Sequence, residues 1–209
     1  MTRQLVAQTR LVIATANAGK VQEFKAALGG LHGLEVVSAL ELGVTDFPEE
    51  TGGSYAANAL TKASFVMQAT GLPSLGDDSG LEVLALGGAP GLYSARFGNL
   101  GSDQERTQYL LERLRTVPAG SRNAQFVSVL GFAAPDGEAE TFEGRCDGRI
   151  LDAPEGDNGF GYDPVFYAFD LQESFGTAPP EAKARVSHRA RALEAFSSWY
   201  KAHYALPKG

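Results

Sequence analysis

The chain has 209 residues, 44% of them hydrophobic and 21% charged, and a formal net charge of −7. That length suits one large domain or two small lobes with a proper core, and the acidic balance argues against a nucleic-acid partner, whose phosphates are held by excess Lys and Arg. One cysteine, Cys146, and three histidines exclude an intramolecular disulfide, a Cys/His zinc centre and a His-rich metal site.

Leu11–Ala16 (LVIATA) reads as a buried strand: short, β-branched and uncharged. Thr15-Ala16-Asn17-Ala18-Gly19-Lys20 then turns the chain into a helix that begins at Lys20. Val21, Phe24, Ala27 and Leu28 share its apolar face, and Gly29-Gly30 stops it. Such a unit presents backbone N–H groups and Lys20 to an anion. It is not a Walker A loop, because one glycine precedes the lysine and Val21 follows it. A plain strand-to-helix turn is the other reading.

Leu34–Ser38 is a second strand, and the acidic, glycine-containing loop Phe47–Gly53 leads to a helix from Ser54 to about Ala69. Ala56, Ala59, Leu60, Ala63, Val66 and Met67 make its apolar stripe. Asn58 and Lys62 are four residues apart and share a face near that stripe. A lysine there either snorkels from the core edge or points into a pocket.

Two adjacent carboxylates, Asp77 and Asp78, stand between the apolar runs Leu72–Leu75 and Leu81–Leu86, as if at the mouth of a strand. In a closed pocket such a pair needs solvent, a cation or a proton between its charges. Mg²⁺ is the usual resolution when a phosphate substrate also arrives; the other reading is a solvated Asp-Asp turn. Gly87-Gly88-Ala89-Pro90-Gly91 is a rigid turn. Ser102-Asp103-Gln104-Glu105 is a capping box opening a helix to about Thr116. Its stripe of Tyr109, Leu110, Leu114 and Val117 is explained by packing alone, and no chemistry is assigned to it.

Gln125–Ala134 and Glu138–Arg145 form a hairpin about Pro135-Asp136-Gly137, which Gly148–Leu151 extends. Cys146 in that strand reads as inert packing. In the glycine-rich loop Gly156–Pro164, Phe160 and Tyr162 either offer a stacking face or tuck into the core. Glu181–Val186 starts a short helix, and Ser187-His188-Arg189 leads into a last one, Ala190 to about Tyr204, with Leu193, Phe196, Trp199, Tyr200 and Tyr204 as its stripe. Cations near a helix N-terminus are mildly unfavourable, which points to a functional reason for His188 and Arg189. The termini read as frayed.

In order, the motifs are TANAGK, EETG, NALTKA, GDDSG, GGAPGLYSARF, GFGYDP and SHR. Together they resemble the Ham1-type family of nucleoside triphosphate pyrophosphatases, over about Leu11 to Leu193. Ala16, where glycine is expected, and Gly76, where alanine is common, are mild departures that remove no polar group. The resemblance implies cleavage of inosine and xanthosine triphosphates, ITP, dITP and XTP, to a monophosphate and pyrophosphate. It makes Asp78 the general base and a metal-linked residue, and Ser79 a substrate contact. Thr15, Ala16, Asn17, Ala18, Gly19 and Lys20, with Asn58, Lys62 and Lys183, would meet the phosphates, and Glu50 and Asp77 would join Asp78 on Mg²⁺. Phe160 would stack on the purine, Gly161, Tyr162 and Asp163 would line its edge, and His188 and Arg189 would donate to its 6-oxo group.

The expected fold is α/β, an elongated mixed sheet flanked by helices, with two lobes and a nucleotide cleft between them, acting as a homodimer by resemblance. No apolar run approaches the ~20 residues that span a bilayer, and polar residues interrupt the N-terminal stretch 1–16, which therefore lacks a signal-peptide core. A cytoplasmic protein without membrane association follows. A pyrophosphatase with another base preference and a non-catalytic nucleotide-binding module are the rival readings.

Overall fold

The computed structural model describes residues 9–204. The readings that rest on residues 1–8 and 205–209, the missing signal core and the frayed ends, lie outside the described residues. In chain order the elements are β1 (Thr9–Ala14), α1 (Ala18–Leu28), β2 (Leu34–Ser38), α2 (Tyr55–Thr70), β3 (Ser74–Val83), α3 (Asp103–Arg113), β4 (Asn123–Ala133), β5 (Ala139–Ile150), β6 (Phe166–Ala168), β7 (Glu173–Ser174), α4 (Pro180–Val186) and α5 (His188–Tyr204). The strands form one seven-stranded sheet in the order β2-β1-β3-β4-β5-β6-β7. β1 runs parallel to β2 and β3, while β6 is antiparallel to β5 and β7, so the sheet is mixed and the fold α/β, as expected.

Several boundaries differ from the sequence reading, each for a local reason. β1 ends at Ala14 and α1 begins at Ala18, two residues before Lys20, because the Asn17 side chain accepts the Lys20 N–H at 3.1 Å and caps the helix there. Phe24 and Leu28 are buried on α1, but Ala27 is exposed. α3 stops at Arg113, before Thr116, where the chain tightens: the Arg115 N–H donates to the Glu112 carbonyl and the Val117 N–H to the Leu114 carbonyl, each three residues back. The largest correction concerns Asp77 and Asp78. They lie inside β3 rather than at a strand mouth or in a turn. Cationic partners on the flanking helices make that burial tolerable. The apolar run beyond them breaks after Val83 into a 3-10 turn that leaves Leu84 exposed.

Contacts group the chain into two compact units. Unit 1 comprises the described residues up to Asp78, Val129–Gly144 and those from Ala190 on; unit 2 comprises Ser79–Ser128 and Arg145–Arg189. In unit 1, strand alternation sends Leu11, Ile13 and Leu75 to one face, where they pack with Phe24 and Leu28 of α1 and Leu193, Phe196 and Tyr200 of α5. Val12 and Ala14 face the other way, against Val66 of α2. In unit 2, Leu81, Val83, Leu110, Phe126, Cys146, Ile150, Phe166 and Phe175 form a separate core. There the Phe126 and Phe166 rings lie 4.5 Å apart. Each fully buried Leu or Phe contributes about 1.5–3 kcal/mol to these cores.

Candidate active site

Unit 1 gathers the acidic pair Asp77 and Asp78 with Glu50, Lys20 and Lys62. Successive side chains on a strand point to opposite faces, so Asp77 and Asp78 must part. Gly76 shows which face is which: a Cβ there would lie 2.3 Å from the Ala59 carbonyl oxygen of α2, and one on Gly131 of β4 would lie 2.5 Å from the Leu60 nitrogen. These two glycines let the α2 backbone rest directly on the strands. Asp78, two residues beyond Gly76, meets the same helix. Asn58 Nδ2 donates to Asp78 Oδ2 at 2.8 Å, and Lys62 Nζ lies 3.5 Å from Asp78 Oδ1 and 2.7 Å from Glu50 Oε1. The Gly52 N–H donates to Asn58 Oδ1 at 2.8 Å, which ties the loop before α2 to the same amide. Lys62 and Asn58 are both buried, so Lys62 is aimed at the two carboxylates rather than snorkelling to solvent.

Asp77 turns to the other face, where Lys20 Nζ lies 2.6 Å from its Oδ2. The TANAGK loop that carries Lys20 is held by its own side chains. Thr15 Oγ1 accepts the Asn17 N–H at 3.2 Å, Asn17 caps α1, and Ala16, Asn17 and Ala18 are exposed at the helix N-terminus. Burial pushes the Asp78 carboxyl above its ordinary value, and the Lys62 ammonium and the Asn58 amide oppose that rise without cancelling it. A carboxylate raised in this way is the better proton acceptor.

Among the described residues no group of three or more His, Cys, Asp or Glu side chains is close enough to cage a metal. A hard cation that binds through one or two carboxylates and its substrate's phosphates needs no such cage. Glu50 and Asp78, both within reach of one ammonium, supply the right oxygen donors; Asp77 pairs with Lys20, whose charge also acts on Asp78.

Unit 2 gathers the aromatic and hydrogen-bonding residues. Arg189 is fully buried, and its Nη2 donates to Ser79 Oγ at 3.0 Å. Its guanidinium carbon lies 6.0 Å from the centroid of the Phe160 ring. Lys183 Nζ lies 4.9 Å from the same centroid and pairs with Asp163 Oδ2 at 2.6 Å. Lys183, expected among the phosphate-facing cations, is thus placed with the aromatic residues of unit 2. The His188 ring stacks on Phe126 with centroids 4.7 Å apart.

The two aromatics of the GFGYDP loop divide the two readings between them. Tyr162 is buried in the core, donating its hydroxyl to the Ser94 carbonyl at 2.9 Å, and burial pushes its phenol well above its ordinary value, so it stays a donor. Phe160 is only half-buried. Between them Gly161 has φ +63°, the left-handed region that favours glycine. Its N–H donates to Asp103 Oδ2 at 2.8 Å.

Sequence reasoning gave no role to Ser94 or Asp103. Ser94 Oγ accepts the Leu81 N–H at 2.9 Å and so fastens the end of β3 to the turn that holds Tyr162. Its place in GGAPGLYSARF was the available signal. For Asp103 the signal was an acid inside a capping box that Ser102 and Glu105 complete without it.

Comparison with known proteins agrees with this arrangement. The sequence profile of the Ham1 family matches residues 11–199. A dITP/XTP pyrophosphatase of Thermus thermophilus is 50% identical over 196 residues, which cover 92% of each chain. A dITP/XTP pyrophosphatase of Deinococcus radiodurans is 50% identical over 186 residues, covering 89% of this chain and 90% of its own. Among solved structures, a HAM1 protein from Coxiella burnetii superposes with a TM-score of 0.84 at 36% identity, covering 93% of this chain and 100% of its own. A nucleoside-triphosphatase, dITP/XTP pyrophosphatase, from Mycobacterium abscessus gives a TM-score of 0.71 at 40% identity, with 90% and 97% covered. The motifs, the fold and these relatives agree: the chain belongs to the Ham1 family.

Proposed function

We propose that the chain hydrolyses the triphosphates of deaminated purines (ITP, dITP and XTP) to the nucleoside monophosphate and pyrophosphate, clearing them from the nucleotide pool. The observation that carries this reading is the Asn58–Asp78–Lys62–Glu50 cluster, a buried base held between an amide and an ammonium. It occurs in a chain half identical to enzymes named dITP/XTP pyrophosphatase.

Asp78 accepts the proton of the attacking water, and its raised pKa suits that task. Asn58 fixes the carboxylate through Oδ2. Lys62 and Lys20, with the capped N-terminus of α1, offset the charge of the polyphosphate. Glu50 and Asp78 would hold Mg²⁺, which would supply neutralising charge to the phosphate oxygens. On the base side Phe160 provides the stacking ring, Ser79 orients Arg189, and Arg189 and His188 donate to the 6-oxo group. Adenine carries an amino donor at that position and is disfavoured. Guanine shares the 6-oxo acceptor and must be rejected at its 2-amino group.

The reading extends to a single catalytic domain acting as a cytoplasmic homodimer without a nucleic-acid partner. The net charge of −7 supports the last point, and no helix of the described residues is long and apolar enough to cross a membrane. The test is product analysis with ITP, dITP, XTP, GTP and ATP, with and without Mg²⁺. Metal-dependent monophosphate and pyrophosphate from the first three, with little from GTP and ATP, is the expected result. Release of single phosphates, or binding without turnover of any of them, contradicts it.

A further inference from the structure

All four backbone polar groups of the Phe160-Gly161 dipeptide have partners. The Phe160 N–H donates to Asp163 Oδ2 at 2.8 Å, and the Phe160 carbonyl accepts the Asp163 N–H at 3.3 Å. Those two bonds lie within the loop. The next peptide is held from outside, by α3. The Gly161 N–H donates to Asp103 Oδ2 at 2.8 Å, and Thr107 Oγ1, one turn further along the helix, lies 3.4 Å from the Gly161 carbonyl oxygen. Asp103 is itself held, since its Oδ1 accepts from Arg106, and Arg106 Nη1 is fixed at 2.9 Å by the Leu100 carbonyl.

The capping box of α3 does not need Asp103: Ser102 Oγ accepts the Glu105 N–H, and Glu105 accepts the Ser102 N–H. An acid in the first turn contributes only a small dipole interaction to the helix. The carboxylate is therefore placed for the loop. Gly161 adds little stiffness of its own, because glycine reaches φ +63° about as readily as negative φ values. The two bonds to Asp163 hold the Phe160 peptide groups within the loop, and the bonds from α3 add the outside anchor that fixes the loop carrying the Phe160 ring.

We propose that Asp103, assisted by Thr107, is a positioning residue for base recognition: it clamps the Gly161 peptide from α3 and so fixes the ring of Phe160 in the orientation that receives the purine. This rests on the reading that Phe160 stacks on the base. Asp103 acts through Phe160 and touches no reacting atom. Its loss therefore weakens nucleotide binding and leaves the chemical step alone.

The experiment compares D103A and F160A with the wild type, and D103N with its own reference, using steady-state kinetics with ITP and thermal unfolding of each protein. D103A loses both acceptors; asparagine keeps one carbonyl, which serves the Gly161 N–H only when its NH2 turns toward Arg106, so D103N is made in an R106M background with R106M alone as its reference. The expected result is a KM for ITP raised about tenfold in D103A with kcat within about twofold, as loss of one charge-assisted hydrogen bond implies. Against R106M, D103N should avoid most of that loss, and D103A in an F160A background should add no further KM effect. A KM raised equally in D103A against the wild type and in D103N against R106M overturns the clamp and leaves a role in helix stability. An unchanged KM in D103A beside a raised KM in F160A overturns the clamp while sparing the stacking reading. An unchanged KM in F160A overturns the stacking reading and the clamp with it. A fall in kcat at constant KM in D103A also overturns the proposal.

Discussion

The charged cluster of unit 1 and the aromatic cluster of unit 2 are built on different principles. In unit 1 each functional group is held by an opposite charge or an amide from a neighbouring element: Lys20 on Asp77, Lys62 on Glu50 and Asp78, Asn58 on Asp78. In unit 2 the ring of Phe160 is set by the backbone, through bonds from Gly161 to α3 and from Phe160 to Asp163, while Tyr162 is anchored in the core. The first arrangement surrounds a base whose pKa is raised by burial against the opposing Lys62 charge and Asn58 hydrogen bond. The second also buries charge, in the Lys183–Asp163 pair and Arg189, but arranges it around an aromatic ring. Changes in unit 1 should therefore alter the rate for every base, and changes in unit 2 should alter the choice among bases.

The largest effect should follow removal of the base itself. D78N should lower kcat for ITP by about 10³-fold while nucleotide binding, followed by calorimetry, stays measurable. The same variant tests the electrostatics. Because burial raises the Asp78 pKa above its unfolded value, its ionisation favours the unfolded chain, and stability present at low pH is lost as pH rises through the folded pKa. D78N should therefore melt higher than the wild type at neutral pH, and the gain should vanish below about pH 4. A variant that melts lower at neutral pH would show that the ion pair with Lys62 outweighs desolvation.

K62M should lower kcat by about 10²-fold, the usual cost of removing a positioned charge from a transition state. It should also move the acid limb of the kcat/KM profile to higher pH, because burial raises the Asp78 pKa and Lys62 is the largest of the influences opposing that rise. An unmoved limb would take Asp78 out of the proton transfer. In unit 2, R189Q should reduce the ratio of kcat/KM for ITP over ATP by roughly 10- to 100-fold, with a smaller effect on kcat for ITP. The smallest expected effect comes from the floor beneath α2. G76A should destabilise by about 1–3 kcal/mol, read by denaturant unfolding, because its Cβ meets the Ala59 carbonyl.

The legible parts of the sequence were those set by local patterns. Strand β2, the capped helix α2 and the capping box of α3 follow from residues next to one another. The candidate groups of the site were also legible, because motifs of distinctive chemistry appear in order along the chain. Partnership was not legible. Nothing in GDDSG says that Asp77 and Asp78 lie in mid-strand and part to opposite faces, since that depends on which helix covers which face. The same holds for Lys183, which reads as one more cation until Asp163 and Phe160 are brought beside it. Asp103 was hidden by its success as a helix-start residue: a capping box explains its position without hinting at Gly161, far along the chain. Gly76, read as a mild departure, proved to be a point of close backbone contact.

The most direct test measures kcat/KM for ITP, GTP and ATP on the wild type, K62M and R189Q under identical metal and salt. The division of labour predicts that K62M lowers all three values by one common factor, while R189Q changes their ratios. A K62M enzyme with altered base preference, or an R189Q enzyme slowed equally on all three, would contradict it.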